Sequence, residues 1–599
     1  MALGLGFSAH AAAAAQAGPA CAPTTLDNSA LQDGSVTVSP VAGSRDASPQ
    51  TQISFLGVPA GELSAISVVG SRTGAHSGRL LAYSQGDGAS FVPSRPFAEG
   101  ERVTVRARVR SGGRASALLD EFAIAHEDRI SSTPRAIKPG SAAEEQSFHS
   151  RPELHPPVVA VTVSSGAVAA GDELVAPYGG PGQAGPMIVE PDGALVWFKP
   201  LPTHTEATNL QVQEYEGKPV LTWWQGNITE HGFGLGEDVI ADETYTDIAH
   251  VRAGNGLQAD LHEFQLTPQG TALITAYEPI MCDLSGVGGP AAAAVTDSVM
   301  QEIDVRTGLV MYEWTSVDHV ALGESFERAS AASTAWPFDF FHLNSIGVDR
   351  DGSLLLSSRN TWTVYDVEAS TGRIRWRLGG RHSSFKMGAG TGTAWQHDPR
   401  ELPDGAISIF DNGASPKVHG QSRGIVVNLD DPSGTATLVE RLTHTPPLLS
   451  ESQGSVQALA NGDWFVGWGQ EPYFSEFSAE GALLFDAHFP AHDESYRAFR
   501  FQWTGTPAHV PAFALVPGSG GPSVVYASWN GATQVASWRV LAGASPTSLA
   551  SVAQAPRSGF ETAVPLPAGI AGSYMAVQAL GAREEVLGTS AVAPEAGAG

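Results

Sequence analysis

Five stretches decide the fold: TNLQVQEYEGK (208–218), LHEFQLTPQG (261–270), FHLNSIGVDRDG (341–352), WQHDPRELPDG (395–405) and QGSVQALANGD (453–463). Each runs from a polar residue through an apolar alternation into a turn that carries a glycine. Period-two alternation marks a half-buried strand, and Gly or Pro interrupts the pattern too often for a helix. The turn glycines Gly217, Gly270, Gly352, Gly405 and Gly462 are 53, 82, 53 and 57 residues apart. The long interval holds LSGVGGPAAAAV (284–295) and ERASAASTAWPFD (327–339). After each stretch comes a second hairpin: 238–251, 301–314, 365–378, 425–442 and 474–489. Two hairpins per repeat make four strands, the content of one propeller blade.

Two half-units remain. GPMIVEPDGALVWF (185–198) is a second hairpin without a first, and SYRAFRFQW (495–503) is a strand without a sequel. Joined, they would complete a sixth blade and leave no free sheet edge. The reading is an all-β chain with a six-bladed β-propeller over residues 158–505. The strands of 35–128 (TQISFLG, LSAISVVG, ERVTVRARV) suit an N-terminal β-sandwich, and those of 506–592 (PSVVYASWNG, VASWRVLAG) a C-terminal Ig- or fibronectin-like sandwich. A polar, Pro-bearing connector spans 126–157. Residues 1–30 begin with the Ala-rich MALGLGFSAHAAAAAQAGPAC and read as an export signal or a disordered tail, so a secreted or extracytoplasmic location is expected. No run is long and apolar enough to span a bilayer. The formal net charge of −28 argues against nucleic acid and anionic membranes as partners. Cys21 and Cys282, the two cysteines, allow one internal disulfide at most.

The first strand of each propeller blade lines the central channel. The polar residue that opens each stretch stands eight to ten positions before its turn glycine, so Asn209, His262, His342, His397 and Gln453 share one address at one mouth. Folding each hairpin about its turn brings Arg359 opposite His342, Tyr277 near His262 and Asn412 near His397. Trp395, Trp336 and Phe341 would add apolar walls. A single channel histidine is usually structural. Three with an arginine, which a narrow channel would require to be paired, point to function. Imidazole and guanidinium together suit a tetrahedral oxyanion. Asp398 and Glu263 follow channel residues in sequence, and strand alternation would turn them away from the channel. No P-loop or G-x-G-x-x-G motif calls for a nucleotide cofactor. A three-histidine metal hydrolase or lactonase, and a non-enzymatic exported binding module, stand as alternatives.

DFFHLNS (339–345), LLLSSRNTWTV (354–364), GRIRWRLGG (372–380) and WQHD (395–398), in this order, resemble the bacterial arylsulfotransferase family over roughly residues 160–500. The resemblance implies a six-bladed propeller that moves a sulfuryl group from an aryl sulfate to a phenol without a nucleotide sulfate donor, by a ping-pong cycle. It implies that His397 is sulfurylated, that His342, His262 and Arg359 complete the catalytic set, and that Asn344 lies on the same strand face as His342. Tyr277, Gln453, Asn209 and Asn412 are the further substrate-binding candidates. No metal and no cofactor is implied. The closely spaced cysteine pair of the better-studied members is absent. The two sandwiches would serve as spacers, attachment modules or dimerisation surfaces.

Overall fold

The computed structural model describes residues 36–594 apart from 112, 130, 431–432, 519–521 and 569–573, together with 19 and 21–23. The candidate export segment thus lies almost wholly outside the described residues, which contain no α-helix.

Among the described residues between Ala160 and Phe501 the chain forms six successive sheets, antiparallel except that the short outer strand Lys386–Met387 of the fourth pairs in parallel. The innermost strands of the first five are Glu206–Tyr215, Phe264–Leu266, Leu343–Val348, His397–Glu401 and Ser455–Ala458. Each carries part of one of the five repeated stretches, and the glycine turn leads into the next strand, as in Gln211↔Thr222 and Val348↔Leu354. Turn glycines such as Gly217 (φ 74°) and Gly270 (φ 78°) are left-handed, a conformation that costs a residue without a Cβ little.

The two half-units share the sixth sheet. Phe499–Phe501 pairs with Asp172–Val175, which pairs with Met187–Val189 and then Leu195–Phe198. Strand Asp172–Val175 was not picked out by the sequence pattern because its DELV is too short to show a period. Ala160–Ser164 adds an outer strand to the fifth sheet. Each sheet's inner strand packs on that of the next, and the sixth sheet packs on both the fifth and the first. Apolar layers fill the spaces between sheets, with Trp223, Trp224, Trp314 and Trp468 all fully buried.

In residues 37–123 two four-stranded sheets enclose one core that includes Phe55, Val105 and Phe122. This unit rests on the second sheet of the repeat, where Ser54 Oγ donates to Val310 O at 2.6 Å. Residues 512–594 form a further pair of sheets around Val540 and Val577. There the Asn530 amide accepts from Phe198 N (2.9 Å) and donates to Phe198 O (2.8 Å), so a side chain covers the open edge of the sixth sheet. Cys21 and Cys282 are joined as a disulfide.

Candidate active site

The inner strands begin irregularly at one end. Asn209, His342 and Gln453 hold φ values of 58°, 57° and 68°, and strand register shifts at Thr208/Gln211 and Leu343/Ser345. Left-handed residues and bulges at a strand start re-aim side chains. Here they gather the shared address around a cavity of 480 Å³ lined by His262, His342, His397, Arg359, Gln453 and Tyr496, among others.

His397 is 1% exposed. Its Nδ1 faces two oxygens, Asn412 Oδ1 at 2.7 Å and Trp395 O at 3.1 Å, so Nδ1 carries the proton. Nε2 then keeps its lone pair and accepts from the backbone N–H of Gln453 at 3.1 Å. Burial, and then the Arg359 charge, push the His397 pKa well below its usual value, against the opposing pull of Asn412. At neutral pH this imidazole is uncharged.

Each of the other two histidines is backed by a carboxylate. His262 Nδ1 donates to Asp260 Oδ2 at 2.5 Å, and His342 Nδ1 to Asp339 Oδ2 at 2.6 Å. Their rings meet edge to face with centroids 4.8 Å apart. Burial raises the Asp260 pKa, but the His262 charge and the N–H donors of Gly234 and His262 outweigh it and hold the carboxyl below its ordinary range. For His342, burial lowers the pKa more than Asp339 raises it. Asp260 and Asp339 were not singled out in the sequence. The available signal was an Asp two or three residues ahead of a repeat histidine, in ADLH and DFFH.

Arg359 lies over the Trp395 ring at 4.8 Å and donates to Asn360 Oδ1 (2.9 Å) and Glu451 O (3.0 Å). Among the described residues no carboxylate oxygen lies within 4.0 Å of it, so the pairing expected of a channel arginine is not supplied by the protein. Burial lowers its pKa, with Asp339 the largest opposing influence. The site therefore offers a desolvated guanidinium beside a neutral imidazole.

The amide and phenol candidates face away from the cavity. Asn209 Nδ2 donates to Leu261 O (2.8 Å), Asn344 Nδ2 to Gln396 O (2.8 Å) and Asn412 Nδ2 to Gln453 O (2.9 Å). Each reaches the carbonyl at, or just before, the address residue of the next sheet. The Tyr277 hydroxyl donates to Leu343 O at 2.7 Å, while its ring backs His262 and His342. These four hold the side chains that line the cavity in place. Gln453 lines the cavity, and its Nε2 donates to Glu494 Oε2 at 2.7 Å. Trp336 lines the rim, 57% exposed, against the His231 ring at 4.1 Å. Phe341 is instead buried in the core between the second and third sheets. Arg135 also reaches the rim and pairs with both Glu494 oxygens at 3.1 and 2.7 Å. It comes from the 126–157 connector, to which no function was given.

Asp398 and Glu263 correct the alternation rule. Glu263, from the second sheet, receives Arg497 at 2.9 and 3.1 Å and Arg400 at 2.7 Å. Those arginines belong to the sixth and fourth sheets, so the carboxylate points to the common centre. Asp398 (φ 54°) joins them through Arg400 at 2.7 Å and Arg497 at 3.3 Å. The left-handed turn and the register shift between His397 and Arg400 aim both His397 and Asp398 inward. Among the described residues no group of three or more His, Cys, Asp or Glu is arranged to hold a metal ion.

The arylsulfotransferase family model matches residues 211–490, the span that holds His262, His342, Arg359 and His397. Over that span the chain is similar to the arylsulfotransferase family. No curated protein matches the chain. A protein of unknown function from Bacteroides caccae is similar at 14% identity and TM-score 0.33, over 55% of this chain and all of its own. A catalytically inactive virginiamycin B lyase from Staphylococcus aureus, with quinupristin, is similar at 10% identity and TM-score 0.30, over 62% of this chain and 96% of its own. The matched span contributes the histidines and Arg359, while Arg135, Glu494 and Tyr496 come from outside it.

Proposed function

We propose that the protein is a six-bladed propeller enzyme, flanked by sandwiches over 35–128 and 506–592, that transfers a sulfuryl group from an aryl sulfate to a phenol through His397. The observation that carries the reading is the neutral His397 ring beside an arginine without a carboxylate partner. Nε2 attacks sulfur in line with the aryl oxygen, the Nε2–S bond forms, and the S–O bond to the aryl group breaks. The proton that stays on Nδ1 is held by Asn412, which stabilises the positive charge growing on the ring. Arg359 binds the sulfuryl oxygens. As Nε2 turns to sulfur, the Gln453 N–H loses its acceptor and is free to donate to a sulfuryl oxygen. Protonated His262, backed by Asp260, gives its Nε2 proton to the departing phenolate. An acceptor phenol then returns a proton to His262, attacks sulfur, and releases His397 in its starting form.

The test is incubation with a chromogenic aryl sulfate and no acceptor, followed by mass analysis of the peptide that carries His397. A gain equal to one sulfuryl group on that residue, discharged by added phenol, is the expected result. An unmodified peptide after phenol release, or full transfer by His397→Asn, would refute the reading.

A further inference from the structure

The chain is strongly acidic, yet five of its 34 Lys and Arg fall within residues 102–114. All five are arginine, and residues 35–128 balance nine Arg against nine Asp and Glu while the whole chain carries −28. Strand Arg102–Ser111 reads RVTVRARVRS. Val103, Val105, Ala107 and Val109 are buried, and Arg102, Arg106, Arg108 and Arg110 are exposed. Four guanidinium side chains thus stand on one face of one strand.

An ordinary solvated face would alternate charge across strands, since like charges in a row repel and an opposite charge on the neighbouring strand relieves them. This sheet does otherwise. Arg108 stands opposite Ser64 on one side and Ala117 on the other, Arg106 opposite Ser67 and Leu119, and Arg110 opposite Ala115. Glu62 lies 4.0 Å from Arg110, and Glu121, paired opposite Thr104, accepts from Thr104 Oγ1 at 3.1 Å. Among the described residues Arg102, Arg106 and Arg108 have no ion pair within 4.0 Å. Positions two apart along a strand are about 6.6 Å apart, so the row runs for about 27 Å. Neutral cross-strand neighbours, Leu119 the largest of them, leave its donors without anionic partners.

We infer that this arginine row is a docking surface for a linear sulfated polysaccharide. Guanidinium forks match the oxygens of sulfate esters, and a row of them fits an extended chain that carries such groups at intervals. Among the described residues none of these guanidiniums lies over an aromatic ring, and no ring faces them across the paired strands, which disfavours single-stranded nucleic acid. The acidic body of the protein repels any polyanion elsewhere, so charge complementarity confines contact to this face. The inference is independent of the chemistry at His397.

The experiment uses the full chain and the variant R106S/R108S/R110S, in which only exposed side chains change. Binding to fluorescein-labelled heparin is followed by anisotropy against salt concentration, with hyaluronan (carboxylates without sulfate) and polyphosphate as competitors. The expected result is heparin binding that weakens at least 30-fold in the variant at unchanged melting temperature. The slope of log K against log salt should fall by about two to three, near the contacts removed. Equal heparin affinity of the variant overturns the inference. So does competition by hyaluronan as strong as by heparin, or preference for polyphosphate.

Discussion

Asp260→Asn isolates the proton transfer. Asp260 is fully buried and accepts from Gly234 N (2.6 Å), His262 N (3.0 Å), His262 Nδ1 (2.5 Å) and Thr275 Oγ1 (3.1 Å). Asparagine keeps the shape and removes the charge that favours His262 imidazolium. A carboxylate about 4 Å from a cation at an effective dielectric of about 20 is worth about 4 kcal/mol. The asparagine dipole retains part of this, so proton transfer from His262 to the leaving phenolate loses about 1.4–4 kcal/mol of support, or about 10- to 1,000-fold in rate. A poor leaving group needs that proton and a good one does not. Stopped-flow release of 4-nitrophenol from its sulfate ester, without acceptor, should change less than threefold. Release of unsubstituted phenol should fall by the full factor. Melting curves check that the variant is folded. Equal losses for both esters would refute the assignment of His262 as the proton shuttle.

Three further outcomes follow from the geometry. Trp336→Ala removes an exposed ring from the rim and is expected to raise the aryl sulfate KM about 3- to 30-fold with kcat changed less than twofold, in steady-state assays, since about 1–2 kcal/mol of ring contact is uniform binding. Glu263→Gln leaves Arg400 and Arg497 with Asp398 as their one shared anion and should cost about 3–5 kcal/mol in urea unfolding. The Glu263 pKa is about 2 in the fold, because Arg400 and Arg497 overcome the effect of burial, so its contribution is complete above the unfolded carboxylate range and lost as pH falls toward 2. Asp238 behaves oppositely. Burial, then Asp260, raise its pKa well above normal, and neither oxygen has a hydrogen-bond partner. The fold then binds a proton that the unfolded chain releases above about pH 4, so stability declines as pH rises toward the folded pKa. Asp238→Asn should therefore gain stability over the parent progressively as pH rises above about 4 in thermal melts.

The histidines were legible because repetition labels equivalent positions. His262, His342 and His397 occupy one cavity because their distances from the turns are nearly equal, and Arg359 follows from hairpin pairing, its N–H donating to His342 O at 3.0 Å. The inward turn of Asp398 was not legible, because alternation presumes regular φ and this residue sits at 54°. Glu263 lies just ahead of its strand, where no alternation applies. The roles of Asn209, Asn344 and Asn412 were also hidden. A sequence shows that an amide is near a site, but not whether its donors go to a ligand or to the carbonyl of a neighbouring sheet. Arg135 lies in a segment without periodicity, so only tertiary structure brings it to the rim.

The pairing of Leu174 with Phe499 carries a consequence for biosynthesis. The sheet begun near residue 172 waits for a strand emerging more than 300 residues later, and that late segment also brings Glu494, Tyr496 and Arg497. A nascent chain halted before it exposes an open flank and lacks Arg497, one of the two cations that neutralise Glu263. The pocket lining is complete only once the chain has passed Tyr496, so a shorter ribosome-bound intermediate lacks part of the site, and a prematurely terminated product is a substrate for proteases.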